Sequence, residues 1–292
     1  MKKDYVICVP KLSNSNGVRV LYRLADKLID FGYNVYLFSV PDEKFHYNYI
    51  TEINDDLRQN AIVVYPEFII GNPLGFRNVA RYVMYYPNKL MQKNFAENEL
   101  IFVYERKYLD YGDVLWVSGL DESIFYKDEK TVKDRDCYFV YKGGIWKDIP
   151  EFANMTKITR QYPKTREKLG ELLRRTKTLY SYDDSSFILE EALLCGCEVK
   201  LVKNDGFEDY KSTYGEYLKS GEAQIKNFIE KTQKMSNDNK PKKRNLEFVN
   251  FSGRYNYFVY KIAYNIFRNF DKKIAQKCWF RAQTRLSRSV KE

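Results

Sequence analysis

One stretch constrains the fold more than any other: LYSYDDSSFILEEALLCGCEVKLV, residues 179–202. Residues 179–182 are a short β-favouring run. Residues 183–186 are Asp-Asp-Ser-Ser, side chains that accept from the free N–H groups at a helix start. Residues 187–194 are dense in apolar side chains, as a buried helix requires. Gly196 stands where a helix ends, and residues 199–202 resume a strand. Strand, turn, helix and strand in this order imply a parallel crossover. A helix start just after a strand end gathers N–H groups and the positive end of the helix dipole, which suits a phosphate. Glu190 and Glu191 are consecutive carboxylates among apolar neighbours, so at least one is expected near the buried or cleft face.

The same alternation runs through the rest of the chain. A strand over 4–9 is followed by the polar loop PKLSNSNG, 10–17. A helix over 18–31 carries Val18, Leu21, Leu24, Ala25, Leu28 and Ile29 at helical spacing, and Gly32 and a strand over 34–38 follow. A parallel sheet puts loop 10–17, Glu67 (after a strand over 61–65) and loop 71–75 at the strands' carboxyl ends, where α/β proteins bind ligands. Residues 77–86 read as helix then strand, the β part being 82–86, and strands over 100–104 and 114–117 complete a first sheet. A charged hinge over 126–136 leads to a strand over 137–141, the turn Lys142-Gly143-Gly144 and a strand over 157–159. The helix over 165–176 that follows turns Leu169, Leu172 and Leu173 inward and Arg166, Lys168, Arg174 and Arg175 outward. A surface helix is expected over 216–234. The expectation is an α/β protein with two Rossmann-like domains, 1–130 and 131–235, whose parallel sheets face a cleft. A basic linker and amphipathic helices follow over 236–292.

Charge is informative by location. From Lys240 to the end there are 14 Lys/Arg and 3 Asp/Glu, whereas the preceding 239 residues carry 35 and 36. The globular part is therefore close to neutral, which argues against a nucleic-acid-binding core and for a basic surface facing something anionic. Residues 255–270 place Phe258, Val259, Ile262, Ala263, Ile266, Phe267 and Phe270 on one broad face. Such a helix suits packing back across the domains or lying on an anionic membrane surface. No apolar run is long enough to span a bilayer and no secretion signal is evident, so a cytoplasmic protein, peripheral at most on the inner membrane face, is expected. The five cysteines are odd in number and form no C-x-x-C pair, so zinc and disulfides are not expected.

Residues 183–196 resemble the nucleotide-sugar site of GT-B-fold glycosyltransferases, in particular the family-4-like group. That pattern is an acid, a short turn, a second acid after seven intervening residues, then Ala and a small-residue–Gly turn. Asp183 falls at the first acid and Glu191 at the second, with Ala192, Cys195 and Gly196 following. The resemblance implies that Glu191 holds the donor ribose and that the turn Ser185-Ser186-Phe187 faces the diphosphate. It puts Asp183 at the sugar and Lys142 with Gly143 at the diphosphate, with Lys147 in place of the family's usual Arg. The family usually has Glu where Asp183 stands and a Gly-containing turn where Ser185-Ser186 stands. Loop 10–17 is similar to that family's opening Gly-rich loop, with one Gly where two are common, and makes Asn14, Asn16 and Gly17, with Asn72, the acceptor-side candidates. Residues 137–202 look like bacterial polysaccharide-assembly transferases; the N-terminal half does so in outline.

The implied activity is transfer of a sugar from a nucleotide donor to a glycan or lipid-linked glycan, retaining and metal-independent, with no further cofactor. Nothing in the sequence reads as a D-x-D motif of the metal-dependent kind. An inverting enzyme needs a general base; Glu67 is better placed for it than His46. A transferase using a CMP-activated acidic sugar and a non-catalytic sugar-nucleotide-binding scaffold are the alternatives.

Overall fold

The computed structural model describes residues 2–12, 15–39, 46–69, 71–87, 92, 95–140, 150–159, 161–184 and 186–236. The amphipathic stretch 255–270 and the basic tail lie outside them. The described residues divide into two compact units, those up to Ser118 together with Ser220–Ser236, and those within Gly119–Lys219. The charged segment 126–136 falls inside the second unit.

The first unit is a seven-stranded sheet, all parallel: β1 (Tyr5–Cys8), β2 (Val35–Phe38), β3 (Asn48–Ile50), β4 (Ile62–Pro66), β5 (Asn78–Val83), β6 (Leu100–Val103) and β7 (Asp113–Val114). The spatial order is β3-β2-β1-β4-β5-β6-β7. The chain builds outward from β1 to β3, then returns to the other side of β1, so its direction reverses between β1 and β4. That is the Rossmann-like order, with ligands expected at the reversal point. Every residue of β1, β4 and β5 is buried, as in a parallel sheet covered on both faces.

Helix α1 (Asn16–Asp30) forms because Val20, Leu21, Leu24, Ala25 and Leu28 make one apolar stripe, and all of them are buried. It ends in a Schellman turn: Tyr33 N donates to Leu28 O and Gly32 N to Ile29 O, with Gly32 at φ 77°. Between β3 and β4 lies the short α2 (Asp55–Asn60), capped by the Asn54 side chain accepting from Leu57 N.

Two expectations change here. Residues 77–86 contain no helix among the described residues; β5 begins at Asn78 and ends at Val83. Arg81, within the stretch expected to be helical, is a fully buried strand residue paired with Glu99. Strand β3 and helix α2 were not foreseen, being short and poor in apolar periodicity.

The second unit carries β8 (Arg135–Phe139), β9 (Thr156–Ile158), β10 (Thr176–Ser181), β11 (Glu198–Lys203) and β12 (Gly206–Asp209), in the order β12-β11-β10-β8-β9. Four strands are parallel, and β12 is an antiparallel edge on β11, which corrects the expectation of a purely parallel sheet. Helices α3 (Arg166–Arg174) and α4 (Ile188–Leu194) cover one face. Leu173, Ile188, Leu189 and Ala192 pack there on Cys137, Phe139, Leu179 and Val199, each large apolar side chain contributing about 1.5–3 kcal/mol by burial. Gly196, at φ 75°, closes α4 in a second Schellman turn, with Cys197 N on Ala192 O.

Helix α5 (Tyr214–Gln233) is the surface helix expected over 216–234, with Ile225, Phe228 and Thr232 as its buried residues. In the first unit Phe228 is fully buried, with its ring centroid 4.6 Å from that of Phe102. The Thr232 hydroxyl meets the Tyr5 hydroxyl at 2.8 Å, and Gln233 bonds both the N–H and the C=O of Lys3. No helix among the described residues is long and apolar enough to cross a membrane.

Candidate functional site

In the second unit the chain goes from β8 to β9 on one side and from β10 to β11 on the other. Its reversal point therefore lies between β8 and β10. Their carboxyl ends stand side by side: Phe139 pairs with Ser181, and Tyr182 N donates to Phe139 O at 3.2 Å. The segment 183–187 leaves this edge. Lys142, Gly143 and Lys147, which follow β8 in the sequence, lie outside the described residues, as do Ser185 and Asn14.

Asp183 is 2% exposed. Its backbone is fixed by Ser181, whose hydroxyl donates to Asp183 O at 2.7 Å and accepts from Asp183 N at 3.1 Å. The Ser186 hydroxyl donates to Asp183 Oδ2 at 2.7 Å. These side chains therefore bond each other rather than capping the helix. The N-cap residue of α4 is Phe187, which makes no side-chain cap bond; its ring lies 6.4 Å from that of Tyr214. Helix α4 has seven residues, so its dipole is a lesser contributor than the sequence suggests.

The two glutamates divide in role. Glu190 accepts from the Tyr210 hydroxyl at 2.8 Å and from the Ser212 hydroxyl on both oxygens, which ties the chain after β12 to α4. Glu191, 3% exposed, accepts from Arg166 at 2.9 Å. Arg166 is not the outward cation expected. It lies over the Phe125 ring at 4.5 Å, with only 13% of its side chain exposed. It opens α3 just beyond the carboxyl end of β9, on the same sheet edge as the reversal point. Sequence reasoning sought an arginine near the diphosphate and missed this one, because helical periodicity cannot distinguish a solvated Arg from one paired across helices.

In the first unit the reversal point places the loop after β1 beside the end of β4. Glu67 follows β4 directly, is 9% exposed, and accepts from Met84 N at 3.1 Å. Arg81 shapes the loop beyond it, donating to the carbonyls of Ile69 and Gly71 while held by both oxygens of Glu99. Asn72 is a loop staple: its Oδ1 accepts from the Tyr65 hydroxyl and Phe76 N, and its Nδ2 donates to Phe76 O. Asn16 and Gly17 open α1; Asn16 Oδ1 accepts from Arg19 at 3.4 Å. A Cβ added at Gly17 would meet nothing within 4 Å, so packing does not demand glycine there. His46 is exposed.

The chain does contain one D-x-D spacing, Asp134-Arg135-Asp136, and it is occupied structurally. Asp134 pairs with Arg135 and Arg175, and Asp136 accepts from Thr178 N at 3.0 Å. Among the described residues no group of three or more His, Cys, Asp or Glu is placed to hold a metal ion. Burial pushes the thiols of Cys8 and Cys137 up, that of Cys195 to about 11 and that of Cys197 to about 12, so none of them is a poised nucleophile. No family model matches the chain, and a search of curated proteins finds no match.

Proposed function

We propose that the protein is a glycosyltransferase that binds a nucleotide-sugar at the reversal point of the second unit's sheet and transfers the sugar to a glycan or lipid-linked glycan. The observation that carries this reading is the buried Asp183, anchored by Ser181 and Ser186 where β8 and β10 end side by side. In this reading Asp183 meets the sugar hydroxyls. The turn at Ser185, Ser186 and Phe187, with Lys142 and Gly143 opposite, takes the diphosphate, and Arg166 takes the counter-charge role first given to Lys147. Glu191 receives the ribose while remaining paired with Arg166. Loop 10–17 and Glu67, at the first unit's own reversal point, serve the acceptor. Transfer then rests on positioning and on stabilising the departing diphosphate.

The test is turnover. Purified protein is incubated with labelled nucleotide-sugars, and release of the free nucleotide is followed with and without glycan acceptors. The expectation is release with one donor, at least about 100-fold slower in Asp183→Asn, as for loss of one preorganised polar group. Release at the wild-type rate in that variant, with the fold intact, would remove Asp183 from the site. Binding without turnover is the second reading, favoured by the pairing of Glu191 with Arg166, since a carboxylate already engaged is a weaker ribose ligand. Tight nucleotide binding with no release from any donor would select it.

A further inference from the structure

Along the outer face of α3 runs an open groove of about 730 Å³. Its walls include Tyr126, Arg135, the loop Tyr162-Pro163-Lys164 and, on α3, Lys168. None of Asp183, Ser186, Phe187, Glu191 and Arg166, the described residues given to the donor, lines this groove, although Lys164 and Lys168 flank Arg166 in the chain.

Its charge is out of proportion to its surroundings. Residues 119–219 carry 18 Lys/Arg and 19 Asp/Glu, yet the groove gathers five cations, Arg174 and Arg175 included, against Asp128 and Glu171. Asp128 is turned to its own loop, accepting from the Thr131 hydroxyl and Lys130 N. Outside the lining, Asp134 draws Arg135 and Arg175 together by pairing with both. Arg174 is fixed by donating to Ile124 O at 2.8 Å and by lying 4.5 Å from the Tyr126 ring centre. Lys164 and Lys168 are exposed and make no ion pair among the described residues. The guanidiniums are thus held in place before any ligand arrives, which lowers the entropy cost of binding.

The spacing selects the ligand. Lys168 and Arg175 are seven residues apart, about 10.5 Å along a helix, comparable with the span of a disaccharide. Arg135 and Arg175 already share Asp134, whereas Lys164 and Lys168 stand apart on the loop and the first turns of α3, so the free charge is not gathered at one point as a single phosphate would require. Pro163, Leu172 and the half-exposed Tyr162 line the same groove, surfaces that suit the apolar faces of sugar rings. We propose that this groove binds an acidic oligosaccharide, its carboxylates on Lys164, Lys168 and Arg175 and a ring against Tyr162.

The experiment is a calorimetric titration of the full chain with tetragalacturonate, with maltotetraose as the neutral control and tripolyphosphate as the charge control. The basic segment from Lys240 onward is present in every variant, so changes report the groove. Tetragalacturonate is expected to bind and maltotetraose is not. Lys164→Glu/Lys168→Glu, at exposed positions whose folding is checked by circular dichroism, weakens tetragalacturonate by about tenfold or more. Tyr162→Ala weakens tetragalacturonate several-fold and leaves tripolyphosphate unchanged. The proposal is overturned by no binding of tetragalacturonate, or by equal affinity in the double variant. Tripolyphosphate binding as tight as tetragalacturonate, with Tyr162→Ala moving neither, would reduce the groove to a simple anion site and overturn it too.

Discussion

Replacing Arg81 with Met should be among the costliest single changes in the first unit. Both side chains of the Arg81–Glu99 pair are essentially inaccessible, at 0% and 1% exposure. The guanidinium holds both Glu99 oxygens, at 2.9 and 3.0 Å, and the Gly71 carbonyl at 2.9 Å. Methionine would leave Glu99 buried without its counter-charge and release the loop that follows Glu67. Removing one partner of a buried pair costs about 3–5 kcal/mol. Burial already pushes the Glu99 carboxyl up while Arg81 pulls it down. Without Arg81 the folded-state value lies further above that of the unfolded chain. Such a group holds its proton more tightly when folded, so its contribution is complete at low pH and is lost as pH rises through the folded value. Urea unfolding followed by far-UV circular dichroism at pH 5 and pH 8 should therefore show a larger penalty at pH 8. The double change Arg81→Met/Glu99→Leu should recover much of it, because no buried charge remains. A penalty below about 1 kcal/mol, or one equal at both pH values, would refute the reasoning.

The remaining predictions can be checked on the same protein. Glu191→Ala strands Arg166 and should cost about 3 kcal/mol, whereas Glu191→Gln keeps an acceptor and should cost about 1 kcal/mol; urea midpoints distinguish the two. Lys133 Nζ donates to the carbonyls of Thr176, Cys195 and Arg174 at 2.7, 3.1 and 3.3 Å, which joins the ends of α3 and α4. Lys133→Met should therefore destabilise the second unit by about 2–3 kcal/mol, read as earlier loss of hydrogen-exchange protection in 176–197. In alkaline solution Cys195, Cys197 and Tyr5 keep their protons to about 11, 12 and 12 when folded, against 9.0 and 10.0 for an ordinary thiol and phenol. The folded state then binds more protons than the unfolded one, so stability should fall as pH rises above about 9; a melting temperature flat from pH 8 to 11 would count against that burial.

The α/β architecture was legible because it rests on periodicity and punctuation. The stripe Leu21, Leu24, Ala25 and Leu28 and the stops at Gly32 and Gly196 each have one local meaning, and the structure shows it. What escaped were features set by tertiary partners. Arg166 looks like a helix-surface cation, yet Glu191, distant in sequence, withdraws it, and Arg81 is withdrawn in the same way by Glu99. Asp183 and Ser186 are cap-type residues, but they bond each other and leave the N-cap position to Phe187. Asn72 looked like an open loop residue until Tyr65 and Phe76 claimed its amide. Of the candidate site, position along the strand edges could be read from sequence; occupancy of the polar groups could not.

The most direct test of the nucleotide-site claim is a thermal-shift panel with UDP, GDP, dTDP, ADP and CMP, run on the wild type and on Glu191→Gln. A ligand that binds only the folded state adds about 2.7 kcal/mol of stability at a concentration of 100 times Kd. The account predicts a clear rise in melting temperature with one nucleotide and a markedly smaller rise in the variant. No rise with any nucleotide, or an equal rise in both proteins, would contradict it.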